Sequence, residues 1–153
     1  MAFDKVYDYF KSIDMSERVL HLDESTATVD EAAQALGCEP DRIAKTLSFY
    51  VGEQPILVLT AGKARIDNKK YKAQFHKKAK MIPADEVEEA IGHDIGGVCP
   101  FAINEGVDVY LDESLKTFDF VYPAAGDPHS AVKLYISELE EYSNYKEWVD
   151  ICK

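Results

Sequence analysis

The stretch Gly92-His93-Asp94-Ile95-Gly96-Gly97-Val98-Cys99-Pro100-Phe101 gathers more residues able to do chemistry than any other part of this chain. Adjacent glycines let backbone approach a ligand with no side chain in the way, and Pro100 fixes the exit of the loop. Backbone N–H groups can then be presented to an anion or a carbonyl oxygen. The same composition also makes an ordinary connection. Cys99 offers a second chemistry, because a thiolate beside an imidazole such as His93 or His129 is an acyl-transfer nucleophile. Without such a neighbour, a free cysteine is a small buried apolar residue. Lys45 heads a strand-like run and is the one cation between Arg42 and Lys63. Aimed into a pocket, its ammonium binds carboxylate, phosphate or carbonyl oxygen; at a strand end it simply faces water. His129, in Gly126-Asp127-Pro128-His129-Ser130, is a loop imidazole suited to orient water or to sit in solvent.

The elements that must position these residues are legible from periodicity and caps. Phe3, Val6, Tyr7 and Phe10 follow helical spacing and predict a first helix over about 3–13. Arg18 to Leu22 is short and strand-like. Thr28-Val29-Asp30-Glu31 is a capping box that opens a helix from Val29 to Leu36, closed by Gly37. Lys45 to Val51 alternates polar and apolar residues, Ile56 to Thr60 is continuously apolar, and Gly52-Glu53-Gln54-Pro55 turns between them, which predicts an antiparallel hairpin. Asp67 caps a helix through about Lys77, and Ala84 to Ile91 reads as another that stops at Gly92. Val107 to Leu111, Phe118 to Tyr122 and Ala131 to Tyr135 are further strands, and Ser137 is placed to cap a last helix. Strands and helices interspersed around a hairpin predict a mixed α/β (α+β-like) fold with a largely antiparallel central sheet flanked by helices.

Composition bounds the function. The 153 residues, 46% apolar and 29% charged, predict one folded domain over 1–153. No apolar run is long enough to span a bilayer, and the charged N-terminus, Met1 to Val6, is unlike a secretion signal, so a cytoplasmic protein without a membrane partner is expected. Cys38, Cys99 and Cys152 are too scattered for a disulfide framework or a paired zinc site, and no two of the four histidines share the i, i+4 spacing; no metal is expected. The net charge of −11 opposes nucleic-acid binding on average, and no DNA partner is expected. The average conceals a window from Lys63 to Lys80 with eight cations against Asp67 alone, +7 in a molecule otherwise at −18. Such a surface can hold a polyanion in one place, or be a solvated lysine face.

Taken in order, Arg42-Ile43-Ala44-Lys45-Thr46-Leu47, the glycine loop ending in Cys99-Pro100-Phe101, Val109-Tyr110-Leu111-Asp112-Glu113-Ser114-Leu115, and Ala124-Ala125-Gly126 before a strand resemble the YbaK/EbsC family. That family is related to the editing insertion domain of bacterial prolyl-tRNA synthetases. The resemblance covers about residues 20–140. It implies the YbaK/prolyl-tRNA synthetase-associated domain fold and a trans-editing aminoacyl-tRNA deacylase, which hydrolyses the ester of mischarged tRNA, tRNA-Pro carrying a small residue such as Ala or Cys. Lys45, Asp112 and His129 are then the catalytic candidates. Thr46 and Ser48, which share a strand face, and Gly96, Gly97, Val98, Cys99 and Pro100 of the loop are the substrate-binding candidates. Lys45 faces the other side of a regular strand, so a bulge or strand-start geometry is expected there. Lys69, Lys70, Lys77 and Lys78 become the candidate tRNA contacts, prolyl-tRNA synthetase a candidate partner, and no metal or organic cofactor follows. A non-catalytic tRNA- or nucleotide-binding module and a Cys99-dependent hydrolase are the competing readings.

Overall fold

The computed structural model describes residues 2–153; Met1, which opens the charged N-terminus, lies outside the described residues. In chain order it contains α1 (Ala2–Ser12), β1 (Val19–His21), α2 (Val29–Leu36), β2 (Ile43–Val51), β3 (Gln54–Ala61), α3 (Asn68–Phe75), α4 (Ala84–Ile91), β4 (Asp108–Asp112), β5 (Phe120–Pro123), β6 (Ser130–Val132), β7 (Leu134–Tyr135), α5 (Ile136–Tyr142) and β8 (Glu147–Val149). Among the described residues, no helix is long and apolar enough to cross a membrane.

β3 is continuously apolar from Pro55 to Leu59 because both faces of the sheet are covered there. Leu57 and Leu59 pack in one core with Val6 and Phe10 of α1, Val87 and Ile91 of α4, and Leu139 of α5. Ile56 and Val58 face the other way, into a second core with Phe49, Tyr71 of α3, Val149 and Ile151. The main sheet runs β7-β5-β2-β3-β4-β8, and β1 and β6 form a separate antiparallel pair. The sheet is mixed α/β in character, as expected. Its antiparallel part is dominated by the long β2–β3 hairpin, while β5 on β2, β4 on β3 and β8 on β4 are parallel.

Local signals fix most element ends. The Thr28 hydroxyl accepts from Glu31 N–H at 3.2 Å, and Gly37 closes α2 in the left-handed conformation at φ 67°. The Asp67 carboxylate accepts from Lys69 and Lys70 N–H and opens α3, which stops one residue short of the left-handed His76. Three expectations are corrected. The run Ala131–Tyr135 is two strands in two sheets, because Arg18 brackets Lys133 on both backbone sides: its carbonyl accepts from Lys133 N–H at 3.0 Å and its guanidinium donates to Lys133 O at 3.1 Å. The last helix begins before Ser137, where Glu138 accepts the Tyr135 N–H at 2.9 Å. β5 starts at Phe120 rather than Phe118, since Phe118 and Phe120 stack on the Arg42 guanidinium at 4.3 and 4.0 Å.

The glycine loop after α4 is clamped from two sides. Phe101, directly behind it, meets Phe10 of α1 edge-on, with ring centroids 4.8 Å apart. In front, Gly126 N–H donates to Gly97 O at 2.9 Å, and a Cβ on Gly97 would lie 2.2 Å from the Asp127 nitrogen. Backbone meets backbone there, so nothing flexible can yield. Gly97→Ala should therefore cost about 3 kcal/mol or more in a urea melt. Gly106→Ala, at φ 85° with open space around it, should cost only about 1–2 kcal/mol from its left-handed backbone. Equal losses would show that the interlock is slack.

Candidate functional site

β2 lies in the middle of the sheet, yet part of its edge is bare. β5 pairs with it only at Ile43 and Ala44, and ends at Pro123. Farther along, the segment around Met81 closes the edge again: Ile82 N–H donates to Ser48 O at 3.0 Å and Tyr50 N–H to Lys80 O at 2.9 Å. Backbone groups alternate in direction along a strand, so those of Thr46 point the same way as those of Ser48 and Tyr50. They open into the gap.

Behind the gap is a cavity of about 360 Å³. Its floor is Ala44, Thr46 and Ser48 of β2. Thr28, Val29 and Ala32 at the start of α2 form one wall, Ile95, Gly96 and Val98 of the glycine loop another, and Ser130 and Ala131 of β6 a third. The wall is mostly apolar. The Thr46 hydroxyl oxygen is buried and has no hydrogen-bond partner within the protein, an uncompensated group that costs about 1–3 kcal/mol unless a ligand satisfies it.

Lys45 and Thr46 occupy opposite faces of β2, and the register Ala44↔Ala61, Lys45↔Thr60, Thr46↔Leu59 contains no bulge. Both border the cavity because it opens through the strand's edge. The Lys45 ammonium donates to Ala64 O in the loop after β3. Burial pulls its pKa down from the ordinary lysine value, and Arg65 and Lys63 nearby act in the same direction. The segment that follows Ala64 is held in turn by the C-terminal residues: Lys153 N–H donates to Arg65 O at 2.9 Å and Asp67 N–H to Ile151 O at 2.8 Å.

Asp112 is not on the cavity wall. It is fully buried, and its two carboxylate oxygens accept from Ser114 N–H and Ile151 N–H, each at 2.9 Å. It thus ties the end of β4 to the residues that steady Ala64, and bears on Lys45 through them. His129 also stays outside the cavity, its backbone N–H on Asp127 at 2.9 Å and its ring Nδ1 3.1 Å from Glu24 O. Within the loop, Gly96 and Val98 reach the cavity, whereas Gly97, Cys99 and Pro100 do not.

Sequence proximity did bring Cys99 and His93 together, with Sγ 3.8 Å from Nδ1. The pair is fully buried. His93 Nδ1 accepts the Cys99 N–H at 3.3 Å. Burial, with Lys5 adding to it, depresses the imidazole pKa to about 4, and burial pushes the Cys99 thiol up to about 12. A neutral thiol beside a neutral imidazole, away from the cavity, is not an activated nucleophile.

The basic window is divided. Lys70 is engaged internally, on Asp150 at 3.0 Å and Cys152 O at 2.9 Å, and Lys63 on Asp30 at 2.6 Å. Lys69, Lys77 and Lys78 are exposed. Residues that sequence alone did not single out are Thr26, which exchanges hydrogen bonds with the Ser130 backbone at 3.1 and 3.2 Å, and the α2 wall. Only the capping box at Thr28 hinted that this helix start was fixed tightly enough to line a site.

The cavity is thus mostly apolar, lies at a sheet edge, is bordered by Lys45 and by free backbone groups, and bears no Asp, Glu or His among the described residues that line it. The chain is a member of the aminoacyl-tRNA editing domain family, whose model matches residues 23–142. It is 46% identical to the uncharacterized protein YwhH of Bacillus subtilis (strain 168), over 100% of this chain and 98% of that one. It is 29% identical to the proline–tRNA ligase of Thermosipho melanesiensis over 95% of this chain, which spans only 25% of the ligase. Among solved structures, a proposed trans-editing enzyme for prolyl tRNA synthetase superimposes with a TM-score of 0.88 at 30% identity, covering 99% of this chain and 97% of that one.

Two outcomes follow from this geometry. His93 titrates near 4 when folded and near 6.5 when unfolded, so the unfolded chain binds the extra proton between those values. The stability it contributes is full above about pH 6.5 and lost as pH falls toward 4, by about 3 kcal/mol at most. His93→Asn should flatten that part of the stability profile in pH-dependent urea melts. For Asp112→Asn, one of two accepted N–H bonds is lost, so hydrogen exchange at Ile151 and Asp67 should accelerate and stability fall by about 1–3 kcal/mol. Unchanged exchange at both amides would show that Asp112 does not hold the C-terminal residues.

Proposed function

We propose that this protein is a trans-editing deacylase that hydrolyses the ester of mischarged tRNA, with tRNA-Pro carrying a small amino acid, Ala or Cys, as substrate. The observation that carries this reading is the small apolar cavity opening through the bare edge of β2, with Lys45 on its rim and an unpartnered Thr46 hydroxyl on its floor. The amino acid's side chain fits the apolar wall, and the ester carbonyl meets the β2 edge. A water adds to the carbonyl carbon, the C–O bond to the ribose breaks, and the ribose oxygen leaves with a proton, giving free amino acid and tRNA. The Thr46 N–H at the β2 edge meets the oxygen on which negative charge develops, and the Lys45 ammonium, exchanging Ala64 O for the substrate, adds its charge. The lining lacks a side-chain general base, which suits an activated ester and not an amide: positioning and charge stabilisation suffice.

Asp112 acts in this scheme as a positioning residue for the Lys45 environment, and His129 stands at the outer loop, where a longer substrate passes. The exposed Lys69, Lys77 and Lys78, with Lys70 beside them, supply the field for the acceptor end of the tRNA. The likeness to part of a proline–tRNA ligase supports a role downstream of that synthetase, in the cytoplasm where its product is found. The bare lining also favours one competing reading, a binding module that holds the same tRNA end without turnover.

Deacylation of a panel of mischarged tRNAs separates the two. The wild type should hydrolyse the alanyl or cysteinyl ester of tRNA-Pro, and Lys45→Ala should fold normally and lose about 10²–10³ in rate. A wild type that binds these tRNAs and hydrolyses none is the binding module; a Lys45→Ala variant at near wild-type rate removes Lys45 from the chemistry.

A further inference from the structure

Among the described residues three large apolar side chains are exposed, and two of them, Met81 at 56% and Ile95 at 59%, stand on the rim of the same cavity. Single exposed apolar residues are ordinary; two from separate segments at one opening form a surface. Both are set by rigid backbone. Met81 bridges Phe49 across the β2 edge, flanked by the hydrogen bonds of Lys80 and Ile82. Ile95 lies inside the turn closed by Gly97 N–H on Asp94 O at 3.0 Å, just ahead of the interlock with Gly126.

Cations precede Met81 in the chain. Lys78 and Lys80 lead directly into it and are exposed, and Lys77, also exposed, lies toward the β2–β3 turn beside Gly52. The ligand that fits carries a flat apolar ring and a phosphate on one small scaffold, which is a nucleotide. We propose that Met81 and Ile95 hold the purine base of the nucleotide whose ribose bears the ester, while the neighbouring lysines take its phosphate. This rests on the editing reading for the source of the base. Neither side chain offers a hydrogen-bond donor, and the contact is dispersive and apolar, so adenine and guanine are held alike.

The test has a binding arm and a kinetic arm. In the full chain labelled at its methionine methyls, AMP and GMP should each shift the Met81 resonance and ribose 5-phosphate should not. In deacylation, Met81→Ser should raise KM about tenfold, through the lost apolar contact with the base, and leave kcat within about twofold. The difference between variant and wild type should vanish on a substrate whose terminal base has been removed; Met81→Ala serves if Met81→Ser folds poorly. A Met81 methyl unmoved by either nucleotide, one moved equally by ribose 5-phosphate or by a short fatty acid, or an unchanged KM overturns the proposal. A wild type whose Met81 answers to AMP but which hydrolyses none of the panel refutes editing and leaves the base site standing. Active variants with wild-type KM do the reverse.

Discussion

The site depends on an interruption in hydrogen bonding. A central strand normally has both edges satisfied, and β2 is satisfied along its whole length by β3 but on its other side only at its two ends. β5 stops at Pro123 at one end, and the segment through Met81 resumes pairing at the other. An unpaired strand edge in solvent invites aggregation. Here the bare stretch is flanked by α2, β6 and the glycine loop, so the free backbone groups face a small half-open cavity. The arrangement stores ligand-binding capacity in the main chain, where no side chain has to be ordered on binding.

This explains why Lys45 and Thr46 can serve one cavity from opposite faces of a regular strand. Access through an edge exposes consecutive residues, whereas access through a face exposes every second one. It also explains why the glycine loop contributes so few of its residues. Gly97 is consumed by contact with the Gly126–Asp127 backbone, and Cys99 by the interior, which leaves Ile95, Gly96 and Val98 to meet a ligand.

Features set by neighbours in sequence were legible in advance: the caps at Thr28 and Asp67, the stops at Gly37 and Gly92, and the doubly buried β3, whose unbroken apolar run marks a strand with two covered faces. The mixed α/β class and the shared face of Thr46 and Ser48 followed from the same local rules. What was not legible depends on partners far away. The break at Lys133 is made by Arg18, more than a hundred residues distant. The brevity of the β5 ladder, the acceptor chosen by Lys45, and the burial of Asp112 under the C-terminal residues are likewise decided by packing, and no periodicity records them. The α2 wall escaped notice because its lining residues, Val29 and Ala32, look like ordinary helix core.

The fate of the cysteines has a consequence for redox chemistry. Burial raises the thiol pKa of Cys38, and burial brings those of Cys99 and Cys152 to about 12, with the Asp112 carboxylate adding to the effect at Cys152. Disulfide exchange and oxidation begin from thiolate. A chain that holds its own sulfurs protonated is a poor partner for mixed disulfides and for peroxide, and a thiol-bearing molecule can enter the cavity without being captured by the protein that surrounds it.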